Sequence, residues 1–257
     1  MLGSDTETLG GKDSQGESVS SESYGNVLVV EDDKSIREIL TMILGQENFT
    51  VSSAGSVAEA EQRLSSRSFL VALIDLRLDD GDGLELVRKL ASRETTAVII
   101  ISGRSDPVDK VIGIEVGADD YIGKPFETRE LVARVKRHAG RMRRLVELGR
   151  AAPGAESEEP KQTIGQWSLD SARHIVENDR GERATLSDAE FRTLEFMLNN
   201  RGQVMSRDRI YHYVVGAPQR DPLDRRIDVH VSSLRRKLDL GATDGIRTVH
   251  RVGYIID

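Results

Sequence analysis

Phe69-Leu-Val-Ala-Leu-Ile-Asp75 is the stretch that decides the fold. An unbroken apolar run ending in a carboxylate suits a short strand buried on both faces. The loop behind it, Leu78-Asp-Asp-Gly-Asp-Gly83, has the composition of a tight turn. Working outward, Val27-Leu-Val-Val30 ends in Glu31-Asp32-Asp33, Ala97-Val-Ile-Ile-Ile101 ends in Ser102, and Tyr121-Ile122 leads to Lys124-Pro125. Carboxylates, a hydroxyl and an ammonium thus recur at the ends of successive buried strands. In an open parallel sheet those ends lie along one edge, where such folds place their sites.

Strand-like segments at 26–30, 49–53, 69–75, 97–102 and 119–122 alternate with helical patterns at 34–46, 56–66, 83–93, 107–117 and 127–139. Repeated strand-then-helix units predict an α/β domain over residues 25–140, a (βα)5 doubly wound parallel sheet covered on both faces. Residues 1–24 are rich in Gly, Ser and acids and bury too little apolar surface to order themselves, so a disordered leader is expected. Residues 141–162 begin as basic helix, Arg141-Met-Arg-Arg-Leu145, and become rich in Ala, Pro, Gly and Glu, a linker composition. Residues 163–257 read differently. Short strands around Trp167 and Ile175 precede a capping box at Ser187-Asp-Ala-Glu190, helices over Phe191–Asn199, from Ser206 to Tyr213 and over Asp224–Leu238, and a terminal hairpin. That is a winged helix-turn-helix plan of α+β class.

Bulk properties narrow the function. The 257 residues are 38% hydrophobic and 31% charged, which suits one or two globular domains. With no cysteine there is no disulfide, thiolate metal site or cysteine nucleophile. No apolar stretch approaches the roughly 18 residues needed to span a bilayer, and the first residues lack a signal-peptide pattern, so a cytoplasmic location without membrane contact is expected. The net charge of -7 is uneven: residues 163–257 carry 14 Arg and one Lys against 14 acids, a net of +1, leaving -8 on the rest. Two domains with different partners would have such an asymmetry.

Clustered carboxylates repel unless a cation joins them. Oxygen ligands suit a hard divalent ion such as Mg²⁺, lysine and a hydroxyl suit phosphoryl oxygens, and a carboxylate can itself accept a phosphoryl group. At this point Val27-Leu-Val-Val-Glu-Asp-Asp33, Leu73-Ile-Asp75, Ile101-Ser102 and Lys124-Pro-Phe126 together resemble the receiver domain of two-component response regulators. The resemblance implies Asp75 as phosphoacceptor, with Glu31, Asp32, Asp75 and the backbone carbonyl of Arg77 around Mg²⁺. It further implies Ser102 and Lys124 on the phosphoryl group, Tyr121 as an aromatic switch, and a histidine kinase as donor. Asp33 is expected only to cap a helix. The chain departs from the receiver pattern at Asp79 and Asp80, which are expected to add negative charge beside the site, and at Gly103, where Ala is common.

Lys110, Asp119, Asp120, Glu130, Arg134 and Arg141 fall on the last helix, strand and helix of this domain. Gly117-Ala-Asp-Asp-Tyr121 with Arg129-Glu-Leu-Val-Ala-Arg134 resembles the OmpR/PhoB subfamily. That resemblance implies a homodimer in the phosphorylated state, with cross-subunit pairs Lys110–Glu130, Asp120–Arg134 and Asp119–Arg141.

In the last helix, Ile227, Val231, Leu234 and Leu238 form a buried stripe, with Arg225, Val229, Ser232 and Arg236 opposite and Arg226, Ser233 and Lys237 flanking. Residues 225–237 carry five cations and one acid, a charge that suits the major groove of double-stranded DNA. Leu186-Ser-Asp-Ala-Glu-Phe191, Arg226-Ile-Asp-Val-His-Val231, Leu234-Arg-Arg-Lys-Leu238 and Thr248-Val with Gly253-Tyr254 resemble the OmpR/PhoB effector domain. The resemblance implies Asp224–Leu238 as recognition helix, with Arg235 among its DNA contacts. It also implies a wing bearing Thr248, His250 and Arg251, and a 215–222 loop able to touch RNA polymerase. Here His250 and Arg251 stand where the subfamily favours Arg and Gly. The expected function is phosphorylation-dependent binding of paired DNA half-sites to regulate transcription. An enzyme using an aspartyl-phosphate intermediate would need a second acid/base carboxylate and a substrate pocket, and no segment supplies them. Self-dephosphorylation is expected to be weak.

Overall fold

The computed structural model describes residues 23–91, 93, 95–103, 107–150, 162–216, 220–241 and 245–257. Residues 1–22 of the expected leader and 151–161 of the expected linker lie outside the described residues. The first unit runs β1 (Gly25–Val30), α1 (Lys34–Gln46), β2 (Phe49–Ala54), α2 (Val57–Ser66) and β3 (Val71–Ile74). A small hairpin follows, β4 (Arg77–Leu78) and β5 (Gly81–Asp82), then α3 (Gly83–Ala91), β6 (Ala97–Ser102), α4 (Pro107–Val116), β7 (Asp120–Gly123) and α5 (Thr128–Arg150).

The main sheet is parallel with order β2-β1-β3-β6-β7. Alternate residues of the buried strands feed opposite cores. Leu28, Val30, Ala72, Ile74, Val98 and Ile100 meet α2, α3 and α4. Val27, Val29, Val71, Leu73, Ile99 and Ile101 meet α1 and α5. This explains why the strands read as continuous apolar runs rather than alternating ones. The order reverses at β1, which lies between β2 and β3, and such a reversal opens a crevice at the strands' carboxyl ends. The register Val30↔Ile74 then makes Glu31 and Asp75 neighbours across it.

The structure departs from the expected elements in two places here. α5 joins the expected helix ending near residue 139 to the basic helical start of the expected linker and runs unbroken through Arg150, because its apolar stripe Leu131, Val135, Ala139 and Met142 keeps the helical spacing past that point. The β4–β5 hairpin was not anticipated, being two residues per strand.

The second unit has an antiparallel sheet of β8 (Gln162–Ile164), β9 (Trp167–Asp170) and β10 (Ile175–Asn178), then α6 (Asp188–Asn199), β11 (Met205–Ser206), α7 (Arg207–Val215), α8 (Arg226–Lys237), β12 (Ile246–Val249) and β13 (Gly253–Ile256). The predicted stripe Ile227, Val231, Leu234 and Leu238 enters its core beside Leu194, Met197 and Ile210. The Trp167 indole N–H donates to the Leu238 carbonyl at 2.8 Å, tying the first sheet to the end of α8. The terminal hairpin forms as expected, and β11 adds a third strand to it.

Candidate phosphoryl site and DNA-reading surface

Asp75 follows β3 and is 7% exposed. Its Oδ1 accepts the Arg77 backbone N–H at 3.0 Å, and its Oδ2 accepts Lys124 Nζ at 2.5 Å. The same ammonium donates to Glu31 Oε2 at 2.6 Å. Burial pushes the Glu31 carboxyl above its ordinary value, against the pull of Lys124. Burial works against the Lys124 charge, but the bonds to Asp75 and Glu31 outweigh it and hold the ammonium above its usual value. Glu31, Asp32 and Asp75 each offer a carboxylate oxygen, all within 4.8 Å of one another. Three carboxylates against one ammonium leave a negative oxygen cluster, a donor set that could hold a metal ion. Asp33 caps α1 as expected, its Oδ1 accepting the N–H groups of Ser35 and Ile36.

The surrounding parts follow from the sheet. Ser102 ends β6, is fully buried, and pairs in register with Gly123, next to Lys124. Tyr121 is buried on β7 among the α4-side apolar residues. Gly83 opens α3 where a Cβ would come within 2.3 Å of the Asp75 carbonyl oxygen, so only glycine lets α3 start this close to the acceptor strand. Gly103 has open space where a Cβ would stand. Asp80 does not leave its charge idle beside the pocket. Its two oxygens accept the N–H groups of Val57 at 2.8 Å and Ala58 at 3.1 Å, at the start of α2. Those two backbone bonds hold its carboxyl below the ordinary range.

The helix-strand-helix face is occupied by the second unit. Asp120 has no exposure, and its carboxylate meets Arg134 at 2.6 Å and, from α8, Arg226 at 2.5 Å. Arg134 also pairs with Glu130 within α5. Burial opposes the Asp120 charge, but Arg226, His138 and Arg134 hold the carboxyl well below the usual range. Asp119 Oδ1 accepts the Ala189 N–H at 3.1 Å, and Arg141 pairs with Asp188, both on α6. Asp120–Arg134, expected between subunits, thus forms within one chain, and Arg141 meets Asp188. The Lys110 side chain lies outside the described residues.

On α8 the expected DNA residues divide. Arg225, Ser232 and Arg236 are exposed. Arg226 is 8% exposed and Ser233 is buried. Lys237 pairs with Glu190 at 2.7 Å, and Arg235 holds the Ile246 carbonyl and the Thr248 hydroxyl. Thr248, His250 and Arg251 are exposed on the hairpin. Arg207, Arg220, Arg225, His250 and Arg251 line one concavity between helices and hairpin. Arg207 and Arg220 had no periodic signal to single them out. Val229, expected on the outward face of α8, is buried against the receiver; the pairing of Asp188 went unread because its partner Arg141 belongs to the other unit.

Residues 27–136 match the response regulator receiver domain, and residues 181–256 match the C-terminal domain of transcriptional regulatory proteins. The transcriptional regulatory protein AruR of Pseudomonas aeruginosa is 39% identical over 236 residues, covering 89% of this chain and 94% of AruR. The TorCAD operon transcriptional regulatory protein TorR of Escherichia coli K12 is 35% identical, covering 90% of this chain and 96% of TorR. A solved structure of a RitR mutant superimposes with a TM-score of 0.67 over 90% of this chain and 98% of that one, at 22% identity, a likeness of fold alone. With both domains matched in order and relatives aligned over nearly their whole length, the chain belongs to the OmpR/PhoB family of two-component response regulators, a receiver followed by a DNA-binding domain of transcriptional regulators.

Proposed function

We propose that Asp75 accepts a phosphoryl group from a histidine kinase or an acyl phosphate, and that this modification controls DNA binding by residues 163–257. The observation that carries the reading is the Lys124 ammonium held between Asp75 and Glu31 at the carboxyl ends of the strands. In the transfer, an Asp75 oxygen attacks phosphorus. The phosphorus–nitrogen bond of phosphohistidine, or the phosphorus–oxygen bond of an acyl phosphate, breaks with its electron pair leaving on the donor. Mg²⁺, held by Glu31, Asp32, Asp75 and the Arg77 carbonyl, would neutralise the incoming charge. Lys124 is already oriented toward the acceptor and pairs with the new phosphoryl oxygens. Ser102, buried at the end of β6, supplies the hydroxyl on their other side, and Tyr121 reports its movement toward α4.

Downstream, Arg225, Arg226, Ser232, Ser233, Arg235, Arg236 and Lys237 meet the major groove, and Thr248, His250 and Arg251 the backbone beside it. Lys110, Asp119, Asp120, Glu130, Arg134 and Arg141 serve a homodimer, and the 215–222 loop is available to RNA polymerase. The receiver occupies about residues 25–140 and the DNA-binding unit 163–257. The cationic concavity beside α8 supports the DNA reading. Treating the chain with acetyl phosphate and Mg²⁺ should add the mass of one phosphoryl group, and Asp75→Ala should abolish it. Retention of the modification in Asp75→Ala would place the acceptor elsewhere.

A further inference from the structure

Glu31 and Asp32 leave β1 on a short loop, and their carboxylates stay together beside Asp75 only if the backbone beneath them is fixed. Arg37, in the first turn of α1, fixes it. Its Nη1 donates to the Glu31 carbonyl at 2.5 Å and to the Asp32 carbonyl at 3.0 Å, so one half-buried cationic nitrogen holds both peptide groups. Bonds from a charged donor are among the stronger ones. The Ala54 carbonyl, at the end of β2, accepts the Glu31 N–H at 3.1 Å. Glu31 is thereby held at its N–H, at its carbonyl and, through Lys124, at its side chain.

The peptide plane carries the same grip to Asp32. In a planar trans peptide the Asp33 N–H points away from the Asp32 carbonyl, and it donates to Asp32 Oδ1 at 2.9 Å. By drawing the carbonyl to one side, Arg37 presents on the other the N–H that orients the Asp32 carboxylate. The guanidinium needs room to do this. A Cβ on Gly55, the residue after β2, would stand 3.2 Å from Arg37 Nη1 and 3.3 Å from its Cζ. Gly55 has no left-handed backbone, so what a side chain there would disturb is Arg37.

We propose that Arg37 is a positioning residue for the divalent cation, holding Glu31 and Asp32 in the arrangement that receives Mg²⁺, with Gly55 as its seat. The three carboxylates lie within 4.8 Å of one another, and their like charges oppose that gathering. A cation entering a preformed set need not order the loop itself, and that advantage is lost with the guanidinium. Groups that orient metal ligands from behind typically change metal affinity by roughly 10- to 100-fold. This role rests on Mg²⁺ binding at the Asp75 site.

Titration calorimetry of the full chain with MgCl₂ alone, without phosphodonor, tests it. Arg37→Gln should raise the Mg²⁺ Kd at least about tenfold. Gly55→Ala keeps Arg37 but presses on it, and should raise Kd by less. Metal-free melting curves separate positioning from folding. A folded Arg37→Gln chain that melts earlier yet binds Mg²⁺ with the parent's Kd would make Arg37 merely structural and overturn its positioning role. If Arg37→Gln does not fold, Gly55→Ala decides, and the parent's Kd there would overturn the role equally. A parent that takes up no Mg²⁺ would overturn the metal assignment itself, and the role of Arg37 with it.

Discussion

At Arg251 one side chain faces two demands that conflict. The hairpin between Val249 and Gly253 turns through a residue with φ of 61°, the left-handed region that glycine tolerates best. The family favours glycine there, and this chain has a cation, exposed beside His250 and the concavity of α8. Arg251→Gly should therefore raise stability by about 1 kcal/mol while lowering DNA affinity similarly for all sequences, with about one unit less salt slope. Denaturant melts and salt titrations measure the two effects separately. Gly103 makes the complementary case. A Cβ would meet nothing within 4 Å, so Gly103→Ala should leave the fold intact. By narrowing water's approach, it should slow loss of phosphate from Asp75 severalfold, as read from decay of the phosphorylated chain. Asp75 itself was legible because strand chemistry and acid placement are both local in sequence. The role of Asp80 was not, since its partners Val57 and Ala58 lie more than 20 residues upstream.

Among the elements, α2 shows how a departure from a family pattern can be structural. Ser56 caps it through the Glu59 N–H, and Asp80 takes the two N–H groups that Ser56 does not. The β4–β5 turn is thereby pinned to a helix terminus whose dipole favours the anion. The carboxyl is lowered in the folded chain, so its stabilisation is present above the ordinary aspartate value near 4. It is lost as pH falls through the lowered value. Asp80→Ala should reduce the melting temperature at pH 7 and leave it nearly unchanged near pH 2. It should not accelerate phosphorylation by acetyl phosphate, because the charge it removes is already committed to α2. A faster reaction would return Asp80 to the role of a repulsive neighbour. The strongly periodic helices and apolar strands were legible because each carries its own pattern in sequence. β4, β5, β8 and β11 were not, because two or three residues hold no period, and β11 pairs with β13 at the far end of the domain.

For the whole molecule, nothing in the sequence announced that the receiver and α8 would share Asp120, since Arg226 is 106 residues away and its charge fits DNA equally well. The charge pattern gave the participants, and only packing chose the partners. That packing carries a pH dependence. Burial and then the negative charge of Asp188 push Asp119 up to about 8, against the N–H groups of Val98 and Ala189 and the charge of Arg141. Burial also opposes the Asp188 charge, but Arg141 and His174 hold that carboxyl down to about 2. On unfolding Asp119 loses Asp188 and returns toward the ordinary aspartate value near 4. The folded chain therefore binds the extra proton, so the contribution of Asp119 to stability is present at low pH and is lost as pH rises through its raised value. His138, which faces Asp120, has the opposite sign: burial lowers its pKa, so protonating it as pH falls works against the fold. The melting temperature should fall between about pH 6.5 and 8.5, and Asp119→Asn, which cannot ionise, should flatten that fall. An equally steep fall in Asp119→Asn would assign the dependence to another group.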